Sequence, residues 1–431
     1  MIFGSSLQVP AEKTKFLRLT AKELLKSYNR RTYHLKEDGD GLVAAEGEEE
    51  FFKLPQSSTG IAVAGGKIFA HEPARKRLHA MNADFSAPEV TYNLTFEPYR
   101  LFCLFDKDGL AQYYGVMRQH VYNYIGSSTV RVGEGKGGCG ALFRERIFTA
   151  SGSRVYYCKT FDGSDWSEAR YGGGYLELPA EELGDILAMQ PYKDKLYLFR
   201  KHGITSLRVL GDEINFKAVH MPMKCGKLIA NTVALCGENV GYFTDTGFHL
   251  FNGAVSTCVP HSRFDEIELT KFIKAVSYCG KYYAFVRRKE GGTAIYCYDP
   301  GQGEAHFIEN GAADIASGDE LYFTRGGYAY KMTEKGIPQN FTPYFTAEKI
   351  AFGISGEKML RSIAVEGEGT FYITVTSNRG TRTVRGTANE ALKLRSPLKG
   401  NGFAVKIGVE PASAFQARFC AVLFRFTEED E

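Results

Sequence analysis

A chain of 431 residues is longer than one hydrophobic core usually supports, so two or three domains, or a repeat array with an added domain, are expected. It is rich in aromatics and glycine, with 31 Phe, 25 Tyr and 47 Gly beside a single Trp, and helix-forming runs are scarce, which points to an all-β protein. The formal net charge is only +3 and the charges are interspersed, which excludes a concentrated basic stripe for coating nucleic acid and leaves bulk charge silent about partners.

In chain order, the opening stretch MIFGSSLQVPAEKTKF lacks the basic and long apolar regions of a signal peptide. No later apolar run approaches the ~20 residues that span a bilayer. A soluble protein that does not use the ordinary export route is expected. Residues 20–31 form the one helix candidate: Thr20 and Glu23 have the spacing of a capping box, and Leu24, Leu25 and Tyr28 form an apolar stripe suited to packing. Residues 37–52 begin as an acidic loop and end as a strand. Glu46, Glu48, Glu49 and Glu50 lack the Asp/Asn alternation of a calcium loop and read as a solvated face.

From residue 64 a pair of strands recurs, each pair joined by a short polar or Gly turn. Its occurrences span 64–81, 105–126, 143–159, 192–210, 236–253, 279–299 and 317–332, beginning 38–49 residues apart. That spacing is near the ~40–50 residues of a four-stranded propeller blade. The flanking outer strands carry weaker signals, with candidates at 185–191, 217–222, 231–235, 273–278, 305–309 and 313–317. One blade cannot bury both of its faces, whereas blades stacked around an axis bury each other. After residue 345 the repeat stops, and six or seven strands separated by Gly turns fit a small sandwich. The expected organisation is therefore residues 1–58 as an N-terminal segment with one helix and a strand, 59–338 as a β-propeller, and 339–431 as a C-terminal β-sandwich. About seven blades are expected, with six or eight also open.

Catalytic chemistry finds little purchase. The nine Cys include no C-x-x-C pair, so neither a zinc site nor a disulfide framework is indicated. Cys158, Cys236, Cys279, Cys297 and Cys420 sit in or beside apolar runs as small hydrophobes, consistent with reduced thiols. The segment 160–168 comes close to the Asp-box turn of sialidases but is one residue short at Asp162–Gly163, and an Asp-Gly turn packed by Trp166 accounts for it. The Gly-rich run 131–140 lacks the ending of a phosphate loop and reads as an inter-blade connection. His120 and His249 alternate with apolar neighbours like strand residues, and Asp212/Glu213 and Asp265/Glu266 look like loop charges. No catalytic, cofactor-binding or metal residue is nominated, and no enzyme activity is expected.

Residues 187–253 carry a resemblance. Lys201 to Leu207, Cys225–Gly226, Val240 to Phe243, and Asp245, Gly247, Phe248, Phe251 and Gly253 match a strand-and-turn pattern of propeller-bearing virion proteins of tailed bacteriophages, of the head-to-tail stabilisation and tail nozzle type. Residues 358–380 and 398–409 resemble the β-sandwich that follows such propellers. The resemblance implies a structural subunit of a phage or prophage-derived particle, made in the bacterial host cytoplasm and residing in the virion. Its implied partners are connector, neck or tail subunits and further copies of itself in a homo-oligomeric ring, with no cofactor, no membrane and no sequence-specific nucleic acid. Two other readings stay open: a carbohydrate-binding or sialidase-like propeller (a tail adhesin or glycan hydrolase), and a host-cytoplasmic scaffold that binds proteins.

Overall fold

The computed structural model describes residues 14–21, 23, 30–33, 35–38, 41–44, 47–55, 58–83, 89–94, 100–168, 172–179, 183–209, 216–222, 226–260, 262–270, 273–308, 310–333, 344–350, 357–410 and 417–428. They fall into two units: residues 49–305 with 309–332, and residues 1–48 with 306–308 and 333–431.

In the larger unit the sequence repeat becomes a series of antiparallel sheets. Five consecutive four-stranded sheets occupy 60–93, 100–133, 139–177, 186–222 and 234–258. The strands Lys274–Tyr278, Lys281–Arg288 and Thr293–Asp299 form the next set. The last sheet holds Asp314–Ser317, Leu321–Arg325 and Tyr328–Thr333, and its fourth strand is Gly47–Lys53 from before the first repeat. Tight turns join the pairs. Gly65–Gly66, Arg144–Glu145, Cys279–Gly280 and Gly326–Gly327 all have positive φ at both central positions, the backbone that a two-residue hairpin needs to match strand twist.

The recurring strand pair proves to be the second and third strands of each sheet. Of the six segments expected to flank that pair as outer strands, those around 185–191, 231–235, 273–278 and 313–317 are the first strands of their sheets and Lys217–Pro222 is a fourth strand. First strands of successive sheets lie side by side, and Asp314–Ser317 lies against Gly60–Ala64. Facing sheets bury shared apolar layers: Phe69, Tyr92, Tyr122 and Tyr124 between the sheets 60–93 and 100–133, and Leu54, Ile68, Ala70, Ala316 and Tyr322 between the last sheet and the first. This larger unit is a β-propeller.

In the smaller unit, one sheet orders Leu35–Asp38, Gly41–Ala44, Arg418–Glu428, Lys358–Glu368 and Leu392–Gly400, with Thr14–Thr20 also paired to Arg418–Glu428. The other contains Arg30–Tyr33, Tyr344–Ile350, Phe403–Val409, Thr370–Ser377 and Gly380–Thr387. Inward side chains of both, including Phe345, Ile373, Val405, Leu360, Ile363, Phe419 and Phe424, share one core. The N-terminal segment, expected as one piece over 1–58, is thus divided: residues 1–48 group with the C-terminal strands, where Thr14–Thr20 pairs with Arg418–Glu428, and residues from 49 group with the propeller. The Thr20–Glu23 capping box forms, with the Glu23 N–H donating to Thr20 Oγ1 at 3.1 Å and the Thr20 N–H to Glu23 Oε2 at 2.8 Å. The predicted helix does not reach Arg31, since Arg30 and Arg31 lie in a strand, and Leu24, Leu25 and Tyr28 lie outside the described residues. The acidic stretch near 37–44 forms a hairpin, with Asp38 opposite Gly41.

Candidate functional site

Three polar groupings stand out in the propeller unit, each built by the ends of strands. The first joins the beginnings of inner strands. Lys274 Nζ donates to both Asp314 carboxylate oxygens at 2.9 Å and to the Ile61 carbonyl at 2.7 Å, and the Ile61 N–H donates to Asp314 Oδ2 at 2.8 Å. Three sheets are thereby tied at one point. Arg100 and Cys139 begin two other inner strands. Burial lowers the Arg100 pKa and raises that of the Cys139 thiol to about 12, although the Arg100 charge draws the thiol partly back.

The second grouping sits on the sheet 60–93. Glu72 is fully buried, and neither of its carboxylate oxygens has a hydrogen-bond donor. Its charge faces His79 Nε2 at 3.5 Å and Arg75 Nε at 3.4 Å. The other His79 nitrogen lies 2.5 Å from Glu89 Oε1 and 3.2 Å from Thr91 Oγ1. One imidazole thus stands between two carboxylates. Among the described residues, no cluster of His, Cys, Asp and Glu has a metal-binding arrangement.

The third is a small open cleft lined by Phe199, Arg200, Gly203, Ile204, Gly226, Leu228, Tyr242 and Thr244, residues of the sheets 186–222 and 234–258 and the segment between them. Arg200 ends a second strand, a place that two other sheets also fill with arginine. There Arg288 binds Glu266 and Glu290, and Arg325 donates to the Asn310 carbonyl while lying 4.3 Å from the Tyr330 ring. In all three an arginine reaches back to the segment that leads into its own sheet. Thr244 and His249 meet at 3.1 Å beside the cleft, with His249 stacked on Tyr242 and its pKa lowered by burial.

Residues singled out in the sequence fall into place around these groupings. Asp162–Gly163 forms a turn in which Trp166 Nε1 donates to the Gly163 carbonyl at 2.8 Å, with Trp166 buried. The Gly-rich run links two sheets, and a Cβ on Gly137 would lie 2.2 Å from the Met117 carbonyl oxygen. Glu266 is more than a loop charge, since it pairs with Arg263 at 2.7 Å and Arg288 at 3.1 Å; Asp212 and Glu213 lie outside the described residues. All eight described cysteines are free, and Cys158, Cys236 and Cys297 are buried. Cys279, expected to be a buried hydrophobe, is exposed because it occupies a turn. Sequence reasoning did not find Glu72, His79 or Arg200. The recurring arginine at second-strand ends (Arg200, Arg288, Arg325) was the available signal.

No protein-family model matches the chain, and no curated protein matches it. Among solved structures it is similar to the WD40 domain of Pan2 from Neurospora crassa, with a TM-score of 0.44 and 9% identity over 69% of this chain and 98% of that one. It is also similar to BBS1N in complex with ARL6DN (TM-score 0.42, 9% identity, 68% of this chain and 98% of that one). A third is the β-propeller domain of Cps50 (Swd1) from Myceliophteria thermophila (TM-score 0.40, 10% identity, 63% and 99%). At such identities none of them carries an activity over to this chain.

Proposed function

We propose that this chain is a structural subunit of a tailed-phage or prophage-derived particle, a neck or tail ring component built as a seven-bladed propeller followed by a β-sandwich. What supports seven blades is seven first strands, each beside the next, with Asp314–Ser317 returning to Gly60–Ala64. What supports the sandwich is two sheets sharing one core. An observation that supports the assembly role is a set of large apolar side chains left in water at one end of the sheet 100–133. Phe105, Leu110 and Ile125 are 54%, 62% and 51% exposed. Phe105 pairs with Ala111 across the turn that carries Leu110, and Ile125 follows Tyr124, which pairs with Tyr113, so Phe105 and Ile125 project from opposite faces of the same sheet end. Apolar side chains of this size in water favour a covering partner. The motif behind the resemblance also acts in packing: Phe248 and Phe251 are fully buried, while Cys225 lies outside the described residues. Such a subunit assembles through closing, repeated contacts, needs no catalytic constellation, and resides in the virion after synthesis in the host cytoplasm.

Light scattering on the purified chain, alone and with lysate from a phage-producing culture, tests this. A discrete ring or incorporation into particles is expected, and Leu110→Ser with Ile125→Ser weakens either one. A monomer at every concentration that never joins particles refutes the reading.

A further inference from the structure

We propose that the cleft between the sheets 186–222 and 234–258 binds a carboxylate through Arg200. A guanidinium removed from water needs its N–H groups matched or an anion beside it. Arg200 is only 2% exposed. Its Nε donates to the Gly184 carbonyl at 2.7 Å and its Nη2 to the Pro179 carbonyl at 2.5 Å, both neutral acceptors, while Nη1 has no partner among the described residues. Asp185, whose charge acts on Arg200 through space, is exposed and makes no ion pair with it. The contrast with Arg288 is direct, since that buried arginine at the same strand position has two carboxylates within 3.2 Å. Arg200 lines a cleft where Arg288 has its glutamates, and the missing partner is an anion from outside.

The walls select its kind. Phe199, Ile204, Leu228 and Tyr242 are apolar or aromatic, and the Thr244 hydroxyl is already engaged by His249 and Thr246. One free guanidinium edge among apolar walls matches a monovalent carboxylate on a short aliphatic stem. A phosphate brings more charge and more acceptor oxygens than this lining can satisfy. Such a group comes either as a small free acid or as a Glu or Asp side chain of another protein. This chemistry does not depend on assembly into a particle.

The test titrates the full chain with sodium propionate against sodium chloride at matched ionic strength, following the thermal midpoint and the heat of binding. A saturable rise of the midpoint with propionate alone is expected, since a ligand that binds only the folded state stabilises it. Leu228→Phe and Ile204→Phe fill the cleft while keeping the guanidinium, and each weakens binding about tenfold or more, equivalent to about 1.4 kcal/mol. Arg200→Gln removes binding, and the two filling variants cover the case in which it fails to fold. A parallel arm uses an Ala-flanked Glu peptide and its Gln counterpart. Tighter binding of the Glu peptide than of propionate assigns the site to a protein side chain, and equal or weaker binding assigns it to a free acid. Identical midpoints in propionate and chloride with no heat from either peptide, or binding unchanged in both filling variants, overturn the proposal.

Discussion

Replacing Asp314 with Ala tests whether the propeller is held shut where its last inner strand meets its first. The carboxylate accepts the Ile61 N–H at 2.8 Å, the Ile315 N–H at 2.8 Å and Lys274 Nζ at 2.9 Å. A hydrogen bond to a charged group is worth about 1.5–3 kcal/mol, so the contact to Ile61 in the neighbouring sheet contributes about 1.5 kcal/mol. The Lys274 pair is discounted, because that side chain is 34% exposed and exposed pairs are worth about 0–1 kcal/mol. Together Asp314→Ala loses about 2 kcal/mol, read from urea unfolding at unchanged m-value. In a Lys274→Met background the same substitution costs about 0.5 kcal/mol less, the share of the exposed pair. Hydrogen exchange at Ile61 and across 60–72 accelerates more than across 139–157, because opening begins at the closure. A loss below about 0.5 kcal/mol, under the net value of even one hydrogen bond, refutes the reasoning. So does uniform acceleration of exchange.

Three further outcomes are expected. Phe248→Ala destabilises by about 4 kcal/mol in thermal or urea unfolding, because the ring is fully buried with Tyr282 and Tyr298 at centroid distances of 4.9 and 5.0 Å. His79→Phe costs about 2 kcal/mol by removing one of the two basic groups beside the buried Glu72 carboxylate, which keeps only Arg75 at 3.4 Å, and adding Glu72→Met recovers more than half of it, whereas a purely steric defect would worsen. Iodoacetamide labels Cys258 and Cys279 in the native protein but not Cys158 or Cys236. Burial pushes those two thiols up to about 12, so they stay protonated and their labelling, read by mass spectrometry, does not rise between pH 7 and 9.

The all-β class, the hairpin repeat and the run of C-terminal strands were legible in the residues because they depend on local terms. Gly and Asp at turns, as in Ala64–Gly65–Gly66–Lys67, and alternating aromatics, as in Lys195–Arg200, act over a few residues whatever the tertiary context. The capping box of Thr20 and Glu23 was equally local.

What needed the tertiary structure is whatever joins residues far apart in the chain. Gly47–Lys53 completes a sheet with Tyr328–Thr333, and Thr14–Thr20 pairs with Arg418–Glu428, because an open strand edge takes the complementary edge that folding brings to it rather than the nearest in sequence. The polar groupings were hidden too: nothing local distinguishes Glu72 or His79 from surface charges, and Arg200 is marked in the sequence only by the recurrence of arginine at second-strand ends. Only burial, which strips their water and leaves Glu72 and Arg200 Nη1 without hydrogen bonds, marks them as groups with consequences for binding and stability.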